Sequence, residues 1–529
     1  MERAREPPAV SALLDGLREA RAFPHPVGAV RVVETHISWV LLTGEFAYKI
    51  KKPLDLGFLD YSTLALRKRC CEEELRVNRR YAPQIYLDVV AITASPAGPE
   101  IGGGGNVLEY AVRMRQFPDD ALLADVLARG DPGIAVWRRL GADVAAIHAE
   151  LPVAGPGHED GRGTPGKVRE AINQNFRQVR PYLRESADIA QLNRLEEQGW
   201  QDFHRHERLL WSRYAGGLVR ECHGDLHLGN IVLLDGRAFA FDAIEFSPAL
   251  SWIDVMNEMA FLVMDCESRG HGAAGFVALN AWLELSGDYA GLALLDFFCA
   301  YRAMVRAKVS VLGAGRPPVA SGSAAHLGCR RYAALAERYG GARRPFLAIT
   351  CGVSGSGKST LAERLAGEAR AIRLRSDVER KRLHGLAPGA SSRAVADIYT
   401  PEASTRTFAR LAELAREVIA AGFPVIVDAT FIRRAHREDF RRVAAALGVD
   451  FHILLCAAPR EELERRVEAR RRAASDPSEA DLEVLAAQLA SAEFPDPPAE
   501  PGTLRVAGSD PAALAELLAR MGAGTAPRH

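Results

Sequence analysis

Phe346-Leu347-Ala348-Ile349-Thr350-Cys351-Gly352-Val353-Ser354-Gly355-Ser356-Gly357-Lys358-Ser359-Thr360 reads as an apolar run, a glycine-rich loop and the opening of a helix, in that order. An uncharged run of this length suits a strand buried on both faces. Gly352, Gly355 and Gly357, interleaved with Ser354 and Ser356, allow successive backbone N–H groups to converge on phosphate oxygens at the positive end of the following helix. The spacing is G-x-x-x-x-G-K-S, in the strand-to-helix context that this motif requires. Lys358 is expected to reach the β- and γ-phosphates, Ser359 to hold Mg²⁺, and Thr360 to complete the nucleotide-binding set. The competing reading, a glycine turn with an incidental lysine, leaves the preceding strand and following helix without a reason. ATP and Mg²⁺ are the expected ligands.

Downstream, Ser376-Asp377-Val378-Glu379-Arg380-Lys381-Arg382 ends the second predicted strand. With the P-loop, this segment resembles the small P-loop kinases of the polynucleotide kinase and zeta-toxin type. That resemblance implies that Asp377 orients and deprotonates an acceptor hydroxyl and that Arg380 grips the acceptor. Phosphoryl transfer needs such positioning and charge neutralisation. A plain helix start capped by Ser376 or Asp377 is the alternative. Val425-Ile426-Val427-Asp428 is an apolar strand ending in an acid, which makes Asp428 a candidate Mg²⁺ residue. Arg466 and Arg470 share one face of a later helix. The resemblance implies a lid arginine there, while the interleaved Glu461, Glu462, Glu464 and Glu468 fit a solvated, salt-bridged helix equally well.

A second constellation lies upstream. His223-Gly224-Asp225-Leu226-His227-Leu228-Gly229-Asn230 precedes a short strand, and Asp242 follows in Phe241-Asp242-Ala243-Ile244-Glu245-Phe246. Phosphoryl transfer needs one Asp facing the acceptor, with an Asn and a second Asp facing the metals; a loop followed by a hairpin supplies that geometry. These segments resemble the aminoglycoside phosphotransferase family, a branch of the protein-kinase-like fold, over roughly residues 25–335. The resemblance implies Asp225 as base or orienter, Asn230 and Asp242 as Mg²⁺ ligands, and His223 as a brace. It also implies a third-strand lysine, for which Lys49 is the choice and Lys51, on the same strand face, the alternative. The helix acid lies among Glu72, Glu73 and Glu74, with Glu74 aligning best. Met114 and Gln116 fall in the hinge beside adenine. No Gly-x-Gly-x-x-Gly joins the first strands, where Glu34-Thr35-His36 stands instead.

The remaining properties bound these readings. A chain of 529 residues exceeds one hydrophobic core. The pattern around the two motifs predicts two domains. Residues 1–338 form an α+β, bilobal, protein-kinase-like fold: strands at Val30–Val33, Ile37–Leu42, Phe46–Lys51, Val89–Thr93 and Leu108–Met114, one helix over 63–81, then a mostly helical region. Residues 339–345 are a linker. Residues 346–529 form an α/β P-loop domain with a parallel sheet. Basic and acidic residues both number 67, so the chain lacks the basic excess of a polyanion binder. A short nucleic-acid end is kept as an acceptor class for the second domain only, beside small hydroxylated molecules. Eight scattered cysteines without CxxC spacing predict reduced thiols in a cytoplasmic protein. The apolar stretch Leu292–Leu312 is interrupted by Asp296, Arg302, Arg306 and Lys308, so no membrane partner is expected. The leading expectation is a bifunctional ATP-dependent kinase. The alternative keeps only the P-loop domain as a kinase and makes the first domain a nucleotide- or ligand-binding regulator.

Overall fold

Three short strands rich in Val, Leu, Trp, Tyr and Ile open the chain's first sheet. In the computed structural model, β1 (Arg31–Glu34), β2 (Ser38–Leu42) and β3 (Phe46–Lys51) run antiparallel through short turns. The model describes residues 8–522 apart from 56–58, 156, 158–160, 391–397, 399, 474–479 and 507–509. β4 (Tyr86–Ser95), β5 (Gly98–Ile101) and β6 (Val107–Arg115) complete a six-stranded sheet of order β1-β2-β3-β6-β4-β5. Five strands were expected. The sixth, β5, has little apolar alternation to announce it, and it forms because β4 extends to Ser95 and returns through a tight turn at Gly98, whose φ of 119° suits glycine. Tyr48 and Ile50 face a core with Trp39, Leu41 and Ile92. The period of two therefore turns Ala47, Lys49 and Lys51 to the other face. That face carries the helix Leu64–Asn78, whose start is capped by Thr63 accepting from Leu66 N–H.

The helical region that follows the sheet is broken into Leu123–Arg129 and Ile134–Glu150 by Gly130, Pro132 and Gly133. Likewise Pro181 separates Pro165–Val179 from Ser186–Ala215. β7 (Val219–Glu221) pairs later with β10 (Trp252–Asp254). Between them, β8 (Ile231–Leu234) and β9 (Arg237–Ala240) form a hairpin turned by Asp235 and Gly236, both at positive φ.

The C-terminal sheet is parallel. β11 (Phe346–Cys351), β12 (Ile372–Arg375), β13 (Val425–Asp428), β14 (Asp450–Leu455) and β15 (Thr503–Arg505) lie in the order β12-β13-β11-β14-β15. β12 is an edge strand, and one side chain satisfies two backbone groups along its free edge. Asn280, on the helix Gly272–Ser286, accepts from Arg373 N–H at 2.7 Å and donates to the Ala371 carbonyl at 3.0 Å. Its amide thus stands in for the next strand's peptide. The helix is apolar almost all round and buried from Gly272 to Leu283 apart from Ala273.

By packing, the chain forms two units: Met1–Val136 with Ile147–Asp265 and Phe297–Glu337, and Trp137–Ala146 with Cys266–Asp296 and Arg338–His529. The segments Trp137–Ala146 and Cys266–Asp296, which sequence reading groups with the first domain, therefore pack with the second unit. Among the described residues, no helix is long and apolar enough to cross a membrane.

Candidate active sites

In the second unit, the loop after β11 is shaped by its glycines. A Cβ on Gly355 would lie 2.8 Å from the Leu463 carbonyl oxygen, and Gly357 caps the helix Lys358–Glu368 at φ 88°. Larger residues fit neither position. The Lys358 ammonium is tucked into the loop, donating to the Val353 carbonyl at 2.6 Å and lying 3.4 Å from Ser356 Oγ. Burial lowers its pKa from the ordinary lysine value, against the pull of Asp428, Cys456 and Asp377. Ser359 Oγ donates to Asp428 Oδ1 at 3.2 Å, whereas Asp428 Oδ2 is buried without a hydrogen-bond partner. Burial pushes the Asp428 carboxyl up, opposed by Arg375, Arg373 and Lys358. An orphaned carboxylate oxygen beside a serine hydroxyl is a donor set that fits Mg²⁺. Thr360 is exposed one residue further along the helix.

Asp377 sits in the first turn of the helix Ser376–Leu383, directly after β12, within electrostatic reach of Lys358. The N-cap is Arg375, with no side-chain cap, so neither Ser376 nor Asp377 caps this helix. Arg380 is buried one turn on, its guanidinium 3.4 Å from Ser404 Oγ and from the Ile398 carbonyl. Arg466 pairs with Glu462 and also donates to the Gly355 carbonyl at 3.3 Å, so it touches the P-loop itself. The Arg470 side chain lies outside the described residues. Three contributors carried no sequence signal. Gln488 Oε1 accepts from Ser354 N–H at 2.7 Å. Arg375 Nε lies 3.8 Å from Asp428 Oδ2, and Glu284 holds both Arg375 and Arg373.

In the first unit, Lys49 Nζ lies 2.8 Å from Glu74 Oε1 and also pairs with Asp242. Lys51 meets the other Glu74 oxygen at 2.5 Å and pairs with Glu245, which also accepts from Tyr61 Oη at 2.7 Å. Both lysine candidates thus share one acid. Burial opposes ionisation of Glu74, but the two ammonium groups outweigh it and lower its pKa to about 2. Asp242 has a left-handed backbone, φ 62°, a conformation that costs a non-glycine residue energy. Three contacts hold it there: its N–H donates to Tyr86 Oη at 3.0 Å, Ala243 N–H donates to Asn78 Oδ1 at 2.8 Å, and His223 Nε2 meets the Phe241 carbonyl at 2.9 Å.

The catalytic-loop candidate is equally tied. Asn230 Nδ2 donates to Asp225 Oδ2 at 2.8 Å and to its carbonyl at 3.1 Å, which leaves the Asn230 carbonyl oxygen for a metal. Asn230 and Phe241 join through a backbone bond of 2.9 Å, which brings Asn230 and Asp242 to the open end of the β8–β9 hairpin. Burial raises the Asp225 pKa, yet His227, then His223 and Arg302, together hold it well below the usual carboxylate range. Glu258, unflagged by any motif, accepts from His223 N–H and Gly224 N–H at 2.7 and 2.9 Å. Met114 is buried in β6. Gln116 spends its side-chain oxygen on Gly44 N–H at 2.9 Å.

Residues 347–495 match the AAA_33 family model, an AAA domain, in a span that includes the P-loop, Asp377, Arg380, Asp428, Arg466 and Gln488. Over a longer range the chain is similar to Mycobacterium tuberculosis protein Rv2004c, 29% identical over 473 residues, or 88% of this chain and 91% of the other. Among solved structures, a gluconokinase from Sinorhizobium meliloti 1021 is 23% identical with a TM-score of 0.24, covering 34% of this chain and 92% of that one. A choline/ethanolamine kinase family protein from Mesorhizobium loti is 13% identical with a TM-score of 0.39, covering 61% of this chain and 95% of that one. By its motif and sheet, the segment that matches the AAA_33 family model is a P-loop α/β domain, and by its six-stranded lobe, Lys49–Glu74 pair and the β8–β9 hairpin beside Asp225, the N-terminal part has a protein-kinase-like fold.

Proposed function

We propose that this chain carries two ATP- and Mg²⁺-dependent phosphotransfer sites, one on each side of the 339–345 segment, each acting on a hydroxyl acceptor. One observation carries the two-site reading: the Glu74–Lys49–Asp242 chain of ion pairs is assembled in the same unit as the Asp225–Asn230 hydrogen bond. A module that only sensed a nucleotide would need the lysine but not an aspartate held ionised where an acceptor hydroxyl would sit. The eight cysteines are free, in keeping with a cytoplasmic setting.

At the first site, Lys49 positions nucleotide phosphates, and Asn230 and Asp242 would hold Mg²⁺, which when bound offsets phosphate charge. Asp225 is held too acidic to be a strong base. Its work is to orient the acceptor hydroxyl, taking the proton late as the oxygen bonds to phosphorus. At the second site the P-loop backbone and Lys358 cradle the phosphates, Ser359 and Asp428 would hold Mg²⁺, Asp377 orients the acceptor and Arg380 grips it. Arg466, already at the loop, is placed to meet the transferred group, and the same role is proposed for Arg470. Small hydroxylated molecules are the favoured acceptors, given the zero net charge.

The test is transfer from γ-labelled ATP into a small-molecule extract and, separately, into short oligonucleotides, using wild type, Asp225→Ala and Asp377→Ala. Two products, each lost in one variant, are expected. If every product depends on Asp377 and none on Asp225, the first unit is a binding or regulatory module and the two-site reading fails.

A further inference from the structure

The first unit's buried and half-buried arginines divide into two kinds. Arg213 meets both Asp254 oxygens, at 2.7 and 2.8 Å, and Arg67 meets Glu109 at 2.8 Å. In these pairs a guanidinium is matched by a carboxylate. Arg302 and Arg306, one turn apart on the helix Leu295–Leu312, are engaged differently. Arg302 donates to the Gly224 carbonyl at 3.0 Å and to Asn257 Oδ1 at 2.7 Å, and Arg306 Nη1 lies 3.4 Å from His227 Nε2. Both therefore touch the loop that carries Asp225, through neutral groups. Arg302 Nη2 and Arg306 Nε are buried without hydrogen-bond partners.

The tautomer of His227 sharpens this. Its Nδ1 accepts from Gly229 N–H at 3.0 Å, so a neutral ring carries its proton on Nε2. That Nε2–H faces Asp225 Oδ2 at 3.4 Å. Arg306 then presents a donor to a donor, and the imidazole cannot satisfy it. Beside the Asp225 carboxylate, this guanidinium has Tyr332 as a further polar neighbour and Asp265 and Asp225 nearby, but it forms no direct ion pair with either acid. One turn beyond Arg306, Ser310 lines an open, solvent-facing cavity of about 680 Å³ together with Arg316 and Ser323, and no acid is among its lining residues.

We propose that the acceptor phosphorylated at the Asp225 site is a hydroxylated small molecule bearing an anionic group, a phosphate or a carboxylate, which Arg306 binds while the rest of the acceptor extends toward the Ser310 cavity. This rests on the first unit being a kinase. The acceptor oxygen bonds to the γ-phosphorus, the bond to the β,γ-bridging oxygen breaks, ADP leaves, and the hydroxyl proton passes to Asp225 and then to solvent. Cationic acceptors such as amino alcohols or amino sugars are disfavoured by the same arginines. The bland alternative is that Arg306 is a structural residue held by Tyr332 and offsetting the nearby charges of Asp265 and Asp225. It predicts no difference between acceptors.

The test uses the full chain with the P-loop silenced by Lys358→Ala. Transfer from γ-labelled ATP is measured with glycerol 3-phosphate and 3-phosphoglycerate, with glycerol, and with ethanolamine and glucosamine. Label in the anionic compounds alone is expected. Arg306→Gln should raise the acceptor KM by about 10–100-fold with the KM for ATP unchanged, and Arg306→Lys should recover part of the loss. Label in ethanolamine or glucosamine that disappears with Asp225→Asn would overturn the charge inference and leave the kinase reading standing. If no compound is labelled, calorimetry decides. Inorganic phosphate binding to Lys358→Ala but not to Lys358→Ala/Arg306→Gln supports the anion site even as the kinase reading falls, whereas equal or absent binding overturns it. Circular dichroism of each variant guards against reading misfolding as lost binding.

Discussion

Glu74→Gln should be the most damaging single-atom change in the first unit. Glu74 is fully buried, and each of its oxygens meets a different ammonium, Lys49 at 2.8 Å and Lys51 at 2.5 Å. Glutamine keeps the shape, but removes the charge and turns one acceptor into a donor aimed at a lysine. Breaking a buried ion pair from one side costs roughly 3–5 kcal/mol. A second route gives a similar size: a carboxyl lowered from 4.5 to about 2 on folding contributes about 3 kcal/mol. Asp242 and Glu245 still hold one lysine each, which favours the lower end. The sign with pH follows from the lowered value. The contribution is complete above the unfolded pKa near 4.5 and is lost as pH falls toward 2. Hydrogen exchange of the β3 and Leu64–Asn78 amides, corrected for intrinsic rates, reads this locally. Opening free energies should fall by about 3 kcal/mol in the variant at pH 7, and the acid-side loss between pH 4.5 and 2 should shrink with it. A change under about 1 kcal/mol, with the acid profile intact, would refute the reasoning, because the triad would then behave like an exposed pair.

Three further outcomes follow from the same geometry. Asp428→Asn should raise the Mg²⁺ concentration for half-maximal P-loop activity by roughly 10–100-fold, read by metal titration of Asp377-dependent turnover. Glu284→Gln should act in the same direction, though no motif contains it. Arg375, released from Glu284, stands 3.8 Å from Asp428 Oδ2 and would compete for the oxygen the metal needs; an unchanged Mg²⁺ requirement in that variant would dismiss this role. Asp225, held well below the usual carboxylate range, stays ionised as pH falls, so the Asp225-dependent product should form at a rate that is flat between about pH 5 and 8 on its account. An acid limb near neutrality that vanishes with Asp225→Glu would contradict that.

What the sequence made legible was what the backbone or a local turn enforces. The P-loop declares itself because Gly355 and Gly357 both hold left-handed backbone conformations that side chains disfavour, and Gly355 also has no room for a Cβ. The spacing from Asp225 through Asn230 to Asp242 is equally fixed, by one 3-10 turn and the Asp235–Gly236 hairpin. Glu258, Asn280, Glu284 and Gln488 stayed silent because each acts as one side chain delivered by tertiary packing from 34 to 134 residues away. A single polar residue on an otherwise ordinary helix has no periodicity to betray it. β5 and the breaks in the long helices were missed for a related reason: short elements rest on pairing partners more than on their own pattern.

The choice between Lys49 and Lys51 shows where sequence reasoning runs out and what decides the matter. Two residues apart on one strand, they necessarily share a face, and the structure puts both on Glu74, so neither strand register nor the helix acid can separate them. Their second partners do. Lys51 and Glu245 are sealed, with side chains 0% and 4% exposed, whereas Lys49 pairs with Asp242, whose side chain is 45% exposed at the mouth of the hairpin. In the proposed function a phosphate arrives from solvent and meets the lysine and the acid proposed to hold Mg²⁺ together. The proposed function therefore takes Lys49, and Lys51, closed off with Glu245 and Tyr61, locks the segment after Asp242 against β3.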